Sequence, residues 1–273
     1  MDRRQLARQL SAIENGELEV TETDGLVIAI TGPPGVGKSC LVDGILHRLT
    51  PENLVAVLAV DPTSPISGGA LLGDRIRLSV LDDKTKAESI YVRSIATRSS
   101  SGSIPSIVKG LASHLLANKF DLVIIETVGA GQSEMRCAAI ANRIIVVEGP
   151  GRGDGIQAEK AGLLELADLI VVNKSDMEGA EKVVNDLTVS LTLTDDAPPI
   201  VRTSATKGDG LDELSGMILQ LDERDTSRRA RARQQLLMAH ENILIRNPAF
   251  EAILDRMSEE GLVLEEALRI LNE

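Results

Sequence analysis

Seven short apolar runs, most of them unbroken by a polar residue, constrain the fold of this chain more than any other feature. Runs of this length that are rich in Val, Ile and Leu indicate strands buried on both faces. Such strands form a mainly parallel sheet with helices packed on both faces, so we predict an α/β fold. The runs span residues 26–30, 54–60, 90–92, 122–126, 143–148, 169–173 and 199–204.

The sequence predicts a central domain with a helical extension at each end. Leu6, Leu10 and Ile13 recur at helical spacing, so a helix is expected over residues 3–14, before a charged linker near 15–24. After the last apolar run the chain is highly charged, which indicates two or three helices with Pro248 between two of them. The predicted units are a helical extension over residues 1–24, a central α/β domain over 25–222, and a helical dimerisation or partner arm over 223–273.

Composition and charge disfavour several classes of function. The formal net charge of −12 argues against broad nucleic-acid binding and weakly against binding to anionic membranes. No apolar run approaches the roughly 20 residues that span a bilayer, and the charged N-terminus lacks the apolar segment of a signal peptide. Cys40 and Cys137 make no disulfide framework and are interpreted as small buried residues. We expect a cytoplasmic protein that binds neither nucleic acid nor membrane.

A phosphate-binding motif follows the first predicted strand directly. In TGPPGVGKSC, four residues satisfy the pattern G-x-x-x-x-G-K-[ST], and a helical pattern follows them. Glycines let backbone N–H groups curl around phosphate oxygens, and the helix adds the positive end of its dipole. Lys38 can reach the terminal phosphates and Ser39 can bind Mg²⁺, whereas a Gly-rich turn without a ligand is the disfavoured alternative. The predicted nucleotide-binding residues here are Pro34, Gly35, Val36, Gly37, Lys38, Ser39 and Cys40.

A second motif, NKSD at the end of the run over residues 169–173, indicates which base the nucleotide carries. It lies at the carboxyl edge of a strand, where open α/β sheets bind ligands. Asp176 can accept hydrogen bonds from the ring N–H and the amine of guanine, whereas adenine would leave it unpaired at a cost of about 1–3 kcal/mol. One strand later, the backbone N–H of Ala205 can donate to the guanine O6. We therefore predict GTP or GDP, bound by Asn173, Lys174, Asp176, Ser204, Ala205 and Thr206.

Three acidic residues are expected near the same edge of the sheet. Asp61 and Glu126 each follow an apolar run, and Asp74 lies in the Gly/Ser/Pro-rich segment after Asp61. Carboxylates placed together repel one another unless a cation compensates them, and Mg²⁺ binds through carboxylates, phosphates and water. We therefore predict a Mg²⁺ site formed by Ser39, Asp61, Asp74 and Glu126. For Asp74, an ordinary exposed loop acid remains the alternative.

Together these motifs resemble the MeaB/ArgK-type GTPases, the methylmalonyl-CoA mutase-associated family within the dimerising class of P-loop GTPases. The shared wording includes ITGPPGVGKS, VDPTSPISGGALLGDRIR, ETVGAGQSE and PGRGDGIQAEKAGLLELADLIVVNKSD, over roughly residues 8–215. The resemblance implies a P-loop NTPase fold and Mg²⁺-dependent GTP hydrolysis. It further implies a homodimer that assists an adenosylcobalamin-dependent acyl-CoA mutase in cofactor loading and protection.

The resemblance also implies roles for individual residues. Lys38 would neutralise phosphate charge, Glu126 would hold the metal directly or through water, and the backbone N–H of Gly129 would sense the γ-phosphate. The first two switches would lie in residues 61–103 and 126–135. A third would span residues 151–162, although an ordinary strand–helix loop is the alternative there. Its matching residues are Asp154, Gln157 and Lys160, and the predicted catalytic residues are Lys38, Glu126, Gly129 and Lys160.

Several points stay open in the sequence. Gln132 is a candidate for positioning the attacking water, and Arg152 or Lys160 could supply positive charge when a partner closes the third switch. The loop that contains Ser99 and Ser103 is more polar than the glycine-containing loop usual in the family. The C-terminal region is shorter than is typical, and it lacks the aromatic residues expected of a dimerisation arm.

Two other functions are compatible with a phosphate loop. A GTPase metallochaperone, for example one that delivers nickel, needs clustered His and Cys side chains, whereas His47, His114 and His240 are scattered. A transport-system ATPase or a kinase is disfavoured by the guanine-selecting motif. The arginine-rich start of the C-terminal extension is interpreted as a solvated helix face rather than as a docking surface for an acidic partner. Its arginines are Arg228, Arg229, Arg231 and Arg233.

Overall fold

A seven-stranded, wholly parallel sheet organises the protein, as seen in a computed structural model. The structure describes residues 2–62, 78–97, 107–127, 136, 139–151, 158–192 and 196–271. Each predicted apolar run contains a strand, so the predicted α/β fold with a mainly parallel sheet is confirmed. The strands are β1 (Leu26–Thr31), β2 (Val55–Pro62), β3 (Ile90–Thr97), β4 (Leu122–Glu126), β5 (Arg143–Glu148), β6 (Leu169–Val172) and β7 (Ile200–Arg202).

Helices connect and flank these strands, and a 3₁₀ turn over Ser79–Asp82 precedes the shortest helix. The first helix begins and ends where the apolar spacing predicts, and Pro248 lies between two C-terminal helices as expected. The described helices are α1 (Arg3–Glu14), α2 (Lys38–Leu49), α3 (Lys84–Ala87), α4 (Ile107–Ala117), α5 (Ala158–Leu166), α6 (Ala180–Leu191), α7 (Leu211–Gln220), α8 (Asp225–Arg246), α9 (Phe250–Glu259) and α10 (Leu264–Leu271).

Two apolar cores, one on each face of the sheet, explain why the strands carry unbroken apolar runs. Successive side chains of β1 alternate between them: Val27 and Ala29 pack in one core, and Ile28 and Ile30 pack in the other. Helices α1, α4, α5 and α6 cover the first face, while α2 and α7 cover the second. Both faces of such a strand are buried, so apolar residues are favoured at every position. The alternation of apolar and polar residues that marks a half-exposed strand is therefore missing.

The strand order places the functional edge of the sheet beside β1. The order is β3-β2-β4-β1-β5-β6-β7. From β1 the chain passes to β2 and β3 on one side, returns to β4 beside β1, and then continues to β5, β6 and β7 on the other side. The connections after β1 and β4 therefore leave the sheet next to each other, at the carboxyl ends of parallel strands. In open α/β sheets this topological switch point forms the ligand-binding crevice.

A buried ion pair attaches the long helix α8 to the sheet domain. Arg231 is 3 % exposed and donates to both carboxylate oxygens of Asp168, at 2.7 and 2.9 Å. Asp168 lies just before β6 and also accepts from the backbone N–H of Ile144 at 2.7 Å. The interpretation of the arginine-rich stretch as a solvated face is therefore wrong for Arg231, since a buried acid of the same chain neutralises it. The domain boundaries themselves stay a prediction.

Candidate nucleotide-binding site

The phosphate loop connects β1 to α2, and two of its glycines occupy positions that no other residue fits. Gly32 has a φ of 136°, and a Cβ there would collide with the backbone carbonyl of Val147. Gly37 has a φ of 98° and caps α2, and its Cβ would lie 2.5 Å from Nδ2 of Asn173. Both positive φ angles and close backbone approach are properties of glycine. The backbone of Val147 and the side chain of Asn173 therefore lie so close to the loop that only glycine fits at these two positions.

Lys38, the first residue of α2, is almost fully buried at 6 % exposure. Its ammonium group donates to the carbonyl oxygens of Gly32 at 2.7 Å and Pro33 at 3.0 Å. These bonds satisfy a charge that would otherwise be costly to bury. They also hold the cation at the loop whose backbone and helix end favour phosphate oxygens. The predicted loop residues Pro34, Gly35 and Cys40 are exposed, so the prediction that Cys40 is a buried residue is wrong.

The structure brings together two of the four residues predicted to bind Mg²⁺. The hydroxyl of Ser39 donates to Oε1 of Glu126 at 2.6 Å. Glu126 ends β4 and is 7 % exposed, opposite Ile30 of β1, so the register of the sheet sets its position. A hydroxyl and a carboxylate are oxygen ligands of the kind that Mg²⁺ prefers, so the residues fit the ion.

The other two predicted metal ligands are less fully defined. Asp61 belongs to β2, where its backbone lies opposite Ala96 of β3, and its side chain is outside the described residues. Asp74 lies outside the described residues altogether. Across the part of the chain that is described, no group of three or more His, Cys, Asp or Glu side chains is placed to hold a metal ion.

Asn173, which follows β6 and is 2 % exposed, joins three loops. Its Nδ2 donates to the carbonyl of Val36 in the phosphate loop at 2.9 Å. Its Oδ1 accepts from the backbone N–H of Ala205 and from Oγ1 of Thr203, each at 3.1 Å. Next to it, Lys174 adopts a positive φ of 58° and donates to the carbonyl of Gly35 at 2.7 Å. The two predicted base-binding segments and the phosphate loop therefore form one hydrogen-bonded unit.

The carboxylate of Asp176, which is predicted to select the base, lies at the same edge. Its Oδ1 accepts from the hydroxyl of Ser204 at 2.7 Å, and its Oδ2 is 3.2 Å from the ammonium of Lys207. The hydrogen bond from Ser204, and then that from Lys207, lower the pKa of Asp176 below its ordinary value. The group is thus a carboxylate at neutral pH, with the acceptor oxygens that guanine recognition requires. The next predicted residue, Thr206, is exposed in the same turn.

The predicted switch residues fall mostly outside the described residues. This applies to Gly129, Asp154 and Gln157, and also to Gln132 and Arg152. The backbone of Lys160 belongs to α5, Ala158–Leu166, but its side chain is likewise outside the described residues. The roles of these residues stay predictions.

Sequence reasoning missed four residues that shape the site. Lys207 pairs with Asp176, and Gly149 leaves so little room that a Cβ would lie 3.0 Å from the carbonyl of Asn173. The buried hydroxyl of Thr127 donates to that of Thr31 at 2.9 Å, which links the start of the predicted second switch to the start of the phosphate loop. Only Lys207 had a detectable signal, since it lies directly after the predicted guanine loop. The others depend on register across the sheet.

A parallel sheet with a phosphate loop after its central strand and an N-K-x-D segment after β6 is the arrangement of a P-loop protein of the GTPase class. Comparison with known proteins specifies the family. The chain belongs to the MeaB family, because the model described as "Methylmalonyl Co-A mutase-associated GTPase MeaB" matches residues 6–261. The predicted family resemblance is therefore confirmed.

Individual relatives agree with this assignment. A protein of Pyrococcus abyssi that is provisionally named a GTPase is 35 % identical, over 96 % of this chain and 89 % of its own. GTPase ArgK of Escherichia coli is 41 % identical over 55 % of this chain and 45 % of its own. A fused isobutyryl-CoA mutase of Cupriavidus metallidurans is 34 % identical over 68 % of this chain, which corresponds to 18 % of that longer protein.

Solved structures support the same fold. A crystal structure described as an LAO/AO transport system kinase superposes with a TM-score of 0.62 at 24 % identity, over 99 % of this chain and 92 % of that one. HypB of Helicobacter pylori, in complex with nickel, superposes with a TM-score of 0.55 at 19 % identity, over 79 % of this chain and 94 % of that one. Within the described residues, no helix combines the length and the apolar character needed to cross a membrane.

Proposed function

We propose that the protein is a cytoplasmic, Mg²⁺-dependent GTPase that acts as a chaperone of an adenosylcobalamin-dependent acyl-CoA mutase. The observation that carries the proposal is the fused isobutyryl-CoA mutase, in which a segment similar to 68 % of this chain belongs to the same polypeptide as a mutase. Two domains that are fused in one organism are commonly separate chains in another, where they act on each other. The family name, with its reference to methylmalonyl-CoA mutase, points to the same class of partner.

The described residues account for how the chain would bind GTP. Asp176 would accept from the guanine ring, while Asn173 would keep the base loop and the phosphate loop at a fixed separation. The ammonium of Lys38 would exchange its two carbonyl partners for phosphate oxygens and neutralise their charge. Ser39 and Glu126 would hold Mg²⁺. When bound, that ion supplies positive charge that stabilises the phosphate oxygens during hydrolysis.

Control by the partner is assigned to the segments that the resemblance identifies as switches. The backbone N–H of Gly129 would contact the γ-phosphate, and Asp154, Gln157 and Lys160 would respond to the mutase. Lys160→Ala should then bind GTP normally but lose most of the hydrolysis that the partner stimulates. Unchanged stimulation in this variant would remove Lys160 from the mechanism.

The test of the proposal is GTP turnover by the protein alone and in the presence of candidate cobalamin-dependent acyl-CoA mutases. We expect slow hydrolysis alone and faster hydrolysis with the correct mutase. Lys38→Ala, assayed with the same mutases, measures turnover from contaminating enzymes. Competition by ATP as effective as that by GTP would contradict guanine selection, and equal rates with and without every mutase would contradict the chaperone role.

Homodimer formation is proposed through helix α8. Leu236 and Ile243, seven residues apart on one face of this helix, are 72 % and 68 % exposed. A helix face that carries several large, exposed apolar side chains is a candidate surface for contact with another protein, because contiguous apolar patches mark such surfaces. Changing both residues to Asp should convert a dimer to a monomer in size-exclusion chromatography with light scattering. Leu219→Asp, at a 45 % exposed leucine of α7, is the matched control. A monomeric wild type would contradict the proposed dimer.

A further inference from the structure

Both carboxylate oxygens of Asp176 already have partners within the chain. Ser204 donates to Oδ1 at 2.7 Å, and the ammonium of Lys207 lies 3.2 Å from Oδ2. A guanine ring presents two parallel donors, its ring N–H and its amine, and binds a carboxylate best when each oxygen accepts one of them. The oxygen that faces Lys207 is thus shared between an internal cation and the base.

The two partners of Asp176 differ in how easily they can move. Ser204 is fully buried, and its backbone N–H donates to the carbonyl of Asp209 at 3.0 Å. The side chain of Lys207 is 58 % exposed, so its ammonium can leave the carboxylate and be solvated at little cost. An incoming base would therefore displace Lys207 and leave the hydrogen bond from Ser204 in place.

The backbone that carries Lys207 is held firmly. Within its turn, the N–H groups of Lys207 and Gly208 donate to the carbonyl of Ser204 at 3.1 and 2.8 Å. Arg48, in the last turn of α2, donates to the carbonyl of Gly208 at 3.2 Å. Because these bonds fix the turn, the lysine would return to the same place whenever the base departs.

We propose that Lys207 is a displaceable cover on the base-selecting carboxylate, and that it competes with the guanine ring for Oδ2 of Asp176. The inference rests on the proposed binding of GTP, and it concerns how fast the same site exchanges its nucleotide. When guanine departs, Lys207 replaces its donor at Oδ2 and so stabilises the protein without nucleotide. The lysine therefore weakens binding and speeds release, which is the opposite of what a direct contact with the nucleotide does.

The experiment compares wild type with Lys207→Met, which removes the charge and keeps the hydrocarbon chain. Equilibrium binding of guanosine and of GDP is measured at low salt and at about 1 M salt, where the Debye length falls to about 3 Å. Release of a fluorescent GDP analogue is followed by stopped flow. Lys84→Ala, at an exposed lysine of α3, controls for the loss of one positive charge.

We expect Lys207→Met to bind both ligands about two- to fivefold more tightly at low salt, the range that an exposed ion pair supports. Release should slow by a similar factor, and the gain in affinity should shrink at high salt. Guanosine is decisive because it has no phosphates and so reports on the base alone. Unchanged or weaker binding of guanosine by Lys207→Met would overturn the inference while leaving GTP binding intact. A wild type that binds neither ligand would instead overturn the proposed function, and the inference with it.

Discussion

The side-chain amide of Asn173 donates to the backbone carbonyl of Val36 at 2.9 Å, and this contact ties the segment after β6 to the phosphate loop. The two segments are 137 residues apart in sequence. A second bond, from Lys174 to the carbonyl of Gly35, links the same two segments. The predicted base-binding segment and the phosphate loop are thus held together by hydrogen bonds within the chain.

Replacement of Asn173 by Ala should weaken GDP binding by at least about tenfold, or about 1.4 kcal/mol. The change leaves the carbonyl of Val36 and the N–H of Ala205 without their partner in a buried site, each at a cost of about 1–3 kcal/mol. Isothermal titration with GDP gives the affinity, and urea unfolding gives the loss of stability. The control is Asn118→Ala, which removes a side-chain hydrogen bond to the carbonyl of His114, away from the site. Equal GDP affinity in the two variants would show that the loops are positioned by other contacts.

Replacement of Asp176 by Asn should exchange the base preference from guanine to xanthine. Xanthine carries a carbonyl where guanine carries its amine, and an Asn side chain can donate to that carbonyl while it accepts from the ring N–H. GDP affinity should fall about ten- to a hundredfold, since one donor then faces another in a partly buried site. Competition of a fluorescent nucleotide by GDP and by xanthosine diphosphate measures the exchange. If the variant still prefers GDP, Asp176 does not read the base.

The strands and the two binding motifs could be predicted because their signals are local. An unbroken apolar run, or a glycine pattern between a strand and a helix, depends on a few adjacent residues whose chemistry allows one main solution. The pairing of Ser39 with Glu126 could also be anticipated. Ser39 lies in the first turn of α2 and Glu126 ends β4, and these two positions meet at the same edge of a parallel sheet.

The contacts that were missed join residues that are far apart in sequence, so no local pattern indicates them. Arg231 and Asp168 are 63 residues apart, and nothing near either residue distinguishes a buried arginine from its exposed neighbours on α8. The role of Gly149 likewise follows from how closely the backbone of Asn173 and the side chain of Val36 approach it. Such features require the packing of α8 and the register of β5 and β6, which local patterns leave open.

Replacement of Ser39 by Ala, or of Glu126 by Gln, should abolish most of the effect of Mg²⁺ on GTP affinity. Each change removes an oxygen ligand or its negative charge, and Mg²⁺ depends on few protein ligands. GTP affinity in EDTA should stay close to that of wild type, whereas the increase on adding Mg²⁺ should drop by about tenfold. Ser215→Ala, at a buried serine of α7 whose hydroxyl has no hydrogen-bond partner among the described residues, controls for the loss of a hydroxyl. A full Mg²⁺ effect in both site variants would place the ion elsewhere.

Replacement of Asp168 by Asn should destabilise the protein by about 3–5 kcal/mol, because it leaves the buried guanidinium of Arg231 without a counter-charge. Asp168 also accepts from Ser227 at 2.9 Å, so the same change loosens the start of α8. Urea unfolding measures the loss. Asp212→Asn, which breaks the ion pair of Arg48 with an 89 % exposed carboxylate, should cost less than about 1 kcal/mol.

The same variant separates stability from binding. Asp168 precedes β6, whereas Asn173 and Asp176 follow it, so the acid and the base-binding residues lie at opposite ends of one strand. GDP affinity should therefore stay within about twofold of wild type under conditions in which Asp168→Asn remains folded. A loss of stability no larger than that of Asp212→Asn would show that α8 is held mainly by its apolar contacts with α5. A large loss of GDP affinity would show that the attachment of α8 also shapes the nucleotide site.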